Sequence, residues 1–239
     1  MRKAFPFVFS LFVTVFSVHG QNSSIGFFGG MNLSNVNGTY NSDSYYTNTT
    51  TLVTKQFGVI LSYNVSDKLS LFSDPGYYEK GFNYEPTESY AGGATVKGRS
   101  KFKSVDVPLS LKFGMFKNQI FYIRTGVYLS FLLSAKNNDT IYYDTPDMET
   151  KITENDILDK MNKTTLGFIA GAGFDIPVSQ KLGILLDVSY RLDLSDAMKN
   201  RQISIWKDGN NDYFVNTDNV RNRNLTISLG VTYRIGSGK

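Results

Sequence analysis

The stretch that decides the fold runs from Val105 to Ala135 and reads VDVPLSLKFGMFKNQIFYIRTGVYLSFLLSA. It contains two runs in which apolar residues alternate with polar or small ones, joined by the polar turn 116–119. The apolar set is odd-numbered in both runs, from Val105 to Phe113 and from Phe121 to Leu133, with Leu132 as the one misfit. A period of two is that of a β-strand, because a helix of about 3.6 residues per turn would scatter these residues around its surface. The stretch therefore predicts a long antiparallel hairpin whose apolar face is covered by protein or by lipid.

The same alternation recurs in six further segments of the chain. They are Ile25 to Ser34, Phe57 to Val65, Leu69 to Phe82, Thr165 to Ile176, Leu182 to Asp193 and Leu225 to Ile235. The third of them is interrupted by Asp74-Pro75-Gly76, and proline is tolerated in a strand at a bulge or at its first residue. With the hairpin, the sequence predicts eight strands.

The connections between these strands alternate between long and short. Short turns fall at 66–68, 116–119 and 177–181, whereas polar tracts of more than ten residues separate the other strands. Outer-membrane barrels have this order, with short periplasmic turns and long extracellular loops. A closed ring also leaves no open edge, so every backbone group in lipid is paired. We predict an all-β fold, an eight-stranded antiparallel up-and-down transmembrane β-barrel with four long outer loops, in the outer membrane of a Gram-negative bacterium.

The first twenty residues predict a secretion signal. Arg2 and Lys3 precede an apolar segment, and Val18-His19-Gly20 fits a signal-peptidase site. We expect a signal peptide at residues 1–20 and an outer-membrane β-barrel domain at 21–239. Cysteine is absent and His19 is the single histidine, so the mature chain would lack Ser-His-Asp and Cys-His catalysis and histidine-bound zinc. We therefore expect no enzyme and no cofactor, and the formal charge of +4 is too small to indicate a nucleic-acid partner.

A soluble barrel of the lipocalin kind is the alternative fold, since it would place the apolar face inward. The loop order favours the membrane, as do aromatic residues near the strand ends, namely Tyr63, Phe113, Phe121, Tyr190 and Tyr233. Glycines on the second face suit the narrow interior of eight strands, namely Gly26, Gly30, Gly58, Gly114, Gly126, Gly171, Gly173 and Gly230. Outer-membrane lipid is then the expected partner of the apolar face.

Charged residues also occupy the interior face of the predicted barrel. Four acids and four bases form this predicted lumen charge network: Asp74, Asp106, Lys112, Arg124, Asp175, Asp187, Arg191 and Arg234. Charges in a narrow lumen must be paired, because an isolated buried charge costs several kcal/mol. The structural interpretation is a plug of ion pairs, and the functional interpretation is a polar path for ions or protons. Eight strands leave room only for side chains, which favours the plug.

Several motifs resemble a known family. Gly26 to Val36 (GFFGGMNLSNV) is similar to the opening strand of PorT-like outer-membrane barrels of Bacteroidetes. Later strands of the family resemble Lys80-Gly81-Phe82, Val105 to Phe113 (VDVPLSLKF), Arg124 to Lys136 (RTGVYLSFLLSAK), Leu186 to Asp196 (LDVSYRLDLSD) and Arg221 to Ile235 (RNRNLTISLGVTYRI). The resemblance implies a barrel, and the namesake member of the family is an accessory of a protein secretion system. The end of the chain differs, because Arg-Ile-Gly-Ser-Gly-Lys follows Tyr233 where such barrels often finish on an aromatic residue.

The predicted role lies in the loops. We expect a monomer with a structural or interaction role through its extracellular loops, acting on extracellular or secretion-system protein partners, and an accessory function in secretion is the alternative. Asp208 to Asp212 predicts a hairpin tip, because it lacks the glycine and glutamate of an EF-hand. The segment from Thr153 to Asp156, followed by the apolar residues Ile157, Leu158 and Met161, predicts one or two helical turns that Thr153 caps.

Overall fold

The computed structural model describes residues 23–42, 45–86, 94–115, 120–143, 151–198, 202–208 and 211–235. Its strands are β1 (Ser23–Ser42), β2 (Tyr45–Asn64), β3 (Leu69–Ser73), β4 (Gly76–Pro86), β5 (Ala94–Met115), β6 (Phe121–Tyr143), β7 (Lys151–Asp156), β8 (Thr164–Pro177), β9 (Leu182–Asp193), β10 (Gln202–Asp208) and β11 (Asn211–Ile235). The predicted signal peptide, residues 1–20, and the turn 116–119 lie outside the described residues. In the described ranges, no helix is both long and apolar enough to cross a membrane.

The sheet closes on itself. Its ring order is β1, β2, β3 with β4, β5, β6, β8, β9 and β11, and β11 pairs with β1. All of these pairings are antiparallel. Strands β7 and β10 lie outside the ring and pair with β6 and β11. The predicted all-β ring of eight strands is confirmed, when β3 and β4 are counted as one.

Strands β3 and β4 form one line through Asp74-Pro75. On β2, Leu61 pairs with Ser73 and Gly58 pairs with Gly76, so three steps on one strand match three on the other. The interruption therefore adds no bulge. The Pro75 carbonyl accepts a hydrogen bond of 3.0 Å from the Val59 N–H, which keeps the β2 side joined where proline has no donor.

The apolar face points outward. Phe27 is 71% exposed and Leu109 is 46% exposed, whereas Asn32 and Asp106 on the other face are each 0% exposed. A soluble lipocalin-like barrel requires the reverse arrangement, so that alternative is wrong. The predicted antiparallel hairpin of β5 and β6 is confirmed, and its apolar residues lie on the outside of the ring.

The one misfit in the central hairpin marks a β-bulge. Lys103 pairs with Ser134 and Ser104 pairs with Leu132, so β6 carries one extra residue. Leu132 turns inward and packs against buried apolar residues, whereas Leu133 stays 53% exposed. The bulge therefore exchanges the two faces of β6 beyond this point, and Lys136 points outward.

Several strands extend into the predicted loops. β1 reaches Ser42, β5 begins at Ala94 and β6 ends at Tyr143. The outward face beyond the membrane contacts water, so polar residues occupy both faces and the apolar period disappears. The predicted cap at Thr153 is wrong, because Thr153 lies in β7, and the helical part of this segment is one 3₁₀ turn at Leu158–Lys160 that Ile157 precedes. The Leu158 N–H donates to Asp156 Oδ1 at 2.9 Å.

Two of the short turns are built alike, from Val65-Ser66-Asp67-Lys68-Leu69 and Val178-Ser179-Gln180-Lys181-Leu182. In each, the valine and serine N–H groups donate to the leucine carbonyl, and the serine Oγ accepts from the leucine N–H. The lysine carbonyl of each turn accepts from the next strand, from Gly114 on β5 and from Arg234 on β11. These bonds satisfy the backbone where the ring turns back.

Glycines leave space for tyrosines in the interior. A Cβ on Gly167 would lie 2.1 Å from Tyr128 Cζ, and one on Gly173 would lie 2.5 Å from the Tyr122 hydroxyl. Both tyrosines are at most 1% exposed. A bulky ring on one strand therefore requires a bare backbone on its neighbour.

We expect Gly167→Ala to destabilise the barrel by about 1–3 kcal/mol, because the new methyl group displaces Tyr128. The measurement is the midpoint of urea unfolding in detergent. Gly29→Ala is the matched control, since a Cβ there has its nearest neighbour at 4.0 Å. Equal midpoints for the two variants would contradict the close packing of Tyr128.

Candidate functional site

Six buried charges of alternating sign form a continuous chain across the lumen. We call it the charge chain, and its order is Asp187, Arg124, Asp74, Arg191, Asp106 and Lys80. Each member is at most 5% exposed. Three carboxylates balance three cations, so the chain carries no formal net charge.

Arg124 on β6 lies at the centre of the periplasmic half of the charge chain. Its Nη1 and Nη2 lie 2.9 and 3.1 Å from the two carboxylate oxygens of Asp74, and Nη2 lies 2.7 Å from Asp187 Oδ1. The same Nη2 donates to Ser189 Oγ at 3.1 Å. A planar guanidinium fits this two-pronged contact, which a lysine cannot make. Arg124 therefore ties β6 to β9 and to the β3–β4 junction.

Arg191 on β9 continues the chain toward the outer half. Its Nη2 lies 2.9 Å from Asp74 Oδ2 and donates to the Tyr78 hydroxyl at 2.6 Å, and its Nη1 lies 3.4 Å from Asp106 Oδ2. Lys80 Nζ lies 2.9 Å from the same oxygen of Asp106 and donates to Ser130 Oγ at 3.1 Å. Asp106 thus receives two cations from different strands.

Aromatic rings stack on the cations of the interior. The guanidinium carbon of Arg191 is 4.1 Å from the centroid of the Tyr78 ring, and that of Arg124 is 4.9 Å from the Phe72 ring. Lys80 Nζ lies 5.1 Å from the Tyr128 ring. Such contacts favour a buried cation, and they fill the space beside each ion pair.

The structure does not bring all eight predicted residues together. Five belong to the charge chain, namely Asp74, Asp106, Arg124, Asp187 and Arg191. Lys112 and Asp175 form a separate pair with an Nζ–Oδ2 distance of 2.6 Å, nearer the periplasmic turns. Arg234 is exposed at the rim, and its guanidinium forms no ion pair with any residue that the structure describes.

Sequence reasoning missed Lys80. Because β3 and β4 share one register, counting by twos from Asp74 through Gly76 and Tyr78 reaches Lys80 on the same inward face. The proline interruption hid this count. Sequence reasoning also missed Asp193. Its carboxylate accepts hydrogen bonds from the Tyr128 hydroxyl at 2.5 Å and from Asn222 Nδ2 at 2.7 Å.

An apolar cluster covers the outer end of the charge chain. We call it the apolar cap, and its buried members are Val36, Phe82, Tyr84, Phe102, Ala135, Ile157, Met161, Ala197, Met198 and Val220. Two loop segments close over the lumen, because the Ile157 N–H donates to the Ala135 carbonyl and the Ala197 N–H donates to the Val220 carbonyl, both at 2.9 Å. A bridge between Met161 and Met198 joins the two segments.

A second apolar cluster lies on the periplasmic side of the charge chain. It contains Phe28, Ile60, Phe72, Tyr78, Tyr122 and Leu185. The interior therefore has three layers, apolar, charged and apolar. In the described ranges, no group of three or more metal-ligating side chains is placed to hold a metal ion. This arrangement suits a closed barrel, since packed apolar layers lie above and below the charges.

The comparison with protein families is decisive. The outer membrane protein beta-barrel domain matches residues 19–199, which is 181 of the 239 residues. The chain belongs to this family. It is therefore an outer-membrane β-barrel of a Gram-negative bacterium, and membrane lipid covers its apolar face. A search of curated proteins by sequence found no match.

Solved structures of outer-membrane proteins are similar to the chain. OprG from Pseudomonas aeruginosa is 13% identical, with 92% of this chain and 98% of that chain covered and a TM-score of 0.46. Ail, the attachment invasion locus protein of Yersinia pestis, is 12% identical, with 89% and 99% covered and a TM-score of 0.41. The neisserial surface protein NspA is 15% identical, with 90% and 99% covered and a TM-score of 0.35.

We expect Arg124→Leu to destabilise the barrel by about 3–5 kcal/mol, because it leaves Asp74 and Asp187 without this cation. Unfolding in detergent measures the loss. Arg124→Lys, which keeps the charge, should lose less. In planar bilayers the folded Arg124→Leu variant should conduct no more than the wild type, and an increased current would contradict the structural interpretation of the charge chain.

Asp139 is a buried carboxylate in the outer part of β6. It is 1% exposed, its Oδ1 accepts a hydrogen bond from the Tyr84 hydroxyl, and no ion pair joins it to a cation among the described residues. Burial raises the pKa of Asp139, and hydrogen bonds from Tyr84 and Asn155 partly oppose this effect. The sequence did not indicate this residue, because it lies in a predicted loop.

We expect Asp139→Asn to raise the melting temperature in detergent at pH 8 but not at pH 4. A carboxyl whose pKa is higher in the folded state stabilises the fold at low pH, and this contribution is lost as the pH rises through the folded pKa. The amide removes the charge, so its benefit is confined to the pH range in which Asp139 is ionised. An equal shift at both pH values would contradict a buried charge as the cause.

Proposed function

We propose that the protein is a closed, non-enzymatic barrel that acts through its outer surface. One observation carries the proposal: the charge chain and the apolar cap fill the lumen in successive layers. Among the described side chains, the cavity beside Lys80, Ser130 and Asp193 measures about 20 Å³, which is room for a water molecule and too small for a larger solute. Partners can then contact the wall beyond the membrane or the periplasmic turns, and the wall offers the larger surface.

The outer wall is formed by the parts of the strands that extend beyond the apolar belt. Beyond the apolar belt, β5 continues from Ser104 to Ala94 and β6 from Ser134 to Tyr143. About ten tilted residues rise roughly 25 Å. Strands β7 and β10 widen this wall by pairing with β6 and β11. Regular pairing supports a rigid surface, which suits recognition of a partner at low entropic cost.

The proposal that the protein is no enzyme is supported by its composition. The chain contains no cysteine and one histidine, His19. General acid–base and nucleophilic catalysis most often use these residues. The buried carboxylates of the charge chain are held by cations, so they are poorly placed to accept a proton from a substrate.

A second candidate is an accessory role in protein secretion. The motif Gly26 to Val36 and the later strand segments resemble PorT-like barrels of Bacteroidetes, and the namesake of that family has such a role. In this case the outer wall or the periplasmic turns would bind a component of a secretion system. Both candidates share a closed barrel that acts by contact.

We expect a variant in which a short Gly-Ser linker replaces residues 202–215 to keep the barrel but lose adhesion to cells or glycans. Strand β10 pairs only with β11 in the described part of the chain, so its removal leaves the ring intact. Heat-modifiable migration on a gel reports the fold, and adhesion of cells that display the protein reports the function. Lys68→Gln in a periplasmic turn is the control. Wild-type adhesion in the shortened variant would contradict a role for this part of the wall, and no adhesion by the full-length protein would contradict the interaction role.

A further inference from the structure

A row of cations lines the outward face of β5. The segment Lys97 to Lys103 reads KGRSKFK, and its odd-numbered residues point outward while Ser100 and Phe102 are buried. Lys136 on β6 lies directly opposite Lys101. We call this set the outer cation ladder, and its members are Lys97, Arg99, Lys101, Lys103 and Lys136. Alternate residues on a strand are about 7 Å apart, so the four on β5 span about 20 Å.

The outer cation ladder begins where the apolar belt ends. Below Lys103, the outward residues of β5 are apolar from Val105 to Met115, which is a rise of about 25 Å on a tilted strand. This is the height of the hydrocarbon region. On β6 the apolar outward residues end at Leu133, beside Lys103 and Lys136. Lys103 and Lys136 therefore lie at the level of the lipid head groups in the outer leaflet, and Lys101, Arg99 and Lys97 follow above them on the same outward face.

Two members of the outer cation ladder, Lys101 and Lys136, form ion pairs with carboxylates. Among the described side chains, three carboxylates lie on the adjoining strands, Glu79 on β4 and Glu154 and Asp156 on β7. Glu79 Oε2 lies 3.8 Å from Lys101 Nζ, and Glu154 pairs with Lys136. Lys101 and Lys136 thus each have a carboxylate partner.

Arg99 and Lys103 have no acidic partner among the side chains that the structure describes. Arg99 donates from Nε to Asn83 Oδ1 at 3.0 Å, which orients the guanidinium while its charge stays without a carboxylate partner among the described side chains. No carboxylate that the structure describes lies within ion-pair distance of Lys103. Lys101 and Lys136 face each other across the two strands, and Glu79 and Glu154 offset the repulsion between these like charges.

We propose that the outer cation ladder binds the phosphate groups of glycolipids in the outer leaflet of the membrane. Phosphate oxygens accept the parallel N–H bonds of a guanidinium, and a row of lysines neutralises further charge. The acyl chains of the same lipid pack on the apolar residues directly below, such as Val105. This contact with lipid chains favours a membrane glycolipid over a soluble polyanion, since the ladder adjoins the belt.

The test uses the full-length protein in phosphatidylcholine nanodiscs, titrated with a fluorescent bisphosphorylated lipid A. Arg99→Gln with Lys103→Gln removes two cations without leaving a carboxylate unpaired. Lys68→Gln with Lys181→Gln is the matched control, because it removes two exposed lysines from the periplasmic turns. Both pairs of residues lie on the surface, and heat-modifiable migration checks the fold of each variant.

We expect the ladder variant to bind lipid A on the order of tenfold more weakly than the wild type, and the control to bind within about twofold. The difference should shrink at 1 M salt, and dephosphorylated lipid A should bind all three proteins equally. Equal affinity of the ladder variant and the control would overturn the proposal. A soluble sulfated polysaccharide that distinguishes the ladder variant while lipid A does not would overturn the lipid assignment.

Discussion

The contact of Arg124 with Asp74 and Asp187 is the constraint on which the interior depends. The lumen of an eight-stranded ring is too narrow for water to solvate charges, so each ion must find its counter-ion on another strand. The alternating order of the charge chain solves this problem, since each internal member lies between two charges of opposite sign. Its ion pairs join β4, β5, β6 and β9 and the β3–β4 junction, so they hold the ring across its diameter as well as around its circumference.

The apolar layers above and below these charges follow from the same constraint. Ion pairs are strong only where water is excluded, and Phe72, Tyr78 and Tyr128 exclude it by stacking on the cations. Rings of this size need bare backbone beside them, which explains glycine at 167 and 173. Gly167 and Gly173 therefore serve the charges indirectly, by making room for Tyr128, which stacks on Lys80, and for Tyr122, which donates a hydrogen bond to Asp187.

The sequence predicted the ring well, because every strand inside the membrane must separate a lipid face from a lumen face. That constraint applies only inside the membrane, and the strand boundaries were predicted accurately only there. The outer parts of β5 and β6 were predicted as loops, and Asp139 was missed with them. Within the lumen, parity identified Asp74, Arg124 and Arg191 but could not say how far along the axis each lies. Arg234 belongs to the alternating set that faces the lumen in its strand, and yet it lies at the exposed rim. Lys80 was missed because Pro75 interrupts the alternation, although the strand register continues unchanged through the proline.

The membrane-spanning part and the outer part of a strand such as β6 are therefore subject to different physical constraints. Near the midplane, a change on either face disturbs lipid packing or an ion pair, so few substitutions are neutral. Above Leu133, the bulge in β6 exchanges the faces, and the inward side needs only to pack on the apolar cap while the outward side meets head groups and water. The chemistry of the outer wall can change there without cost to the charge chain. A barrel closed at its centre can in this way keep one scaffold while its outer wall acquires the charges that a particular membrane or partner requires.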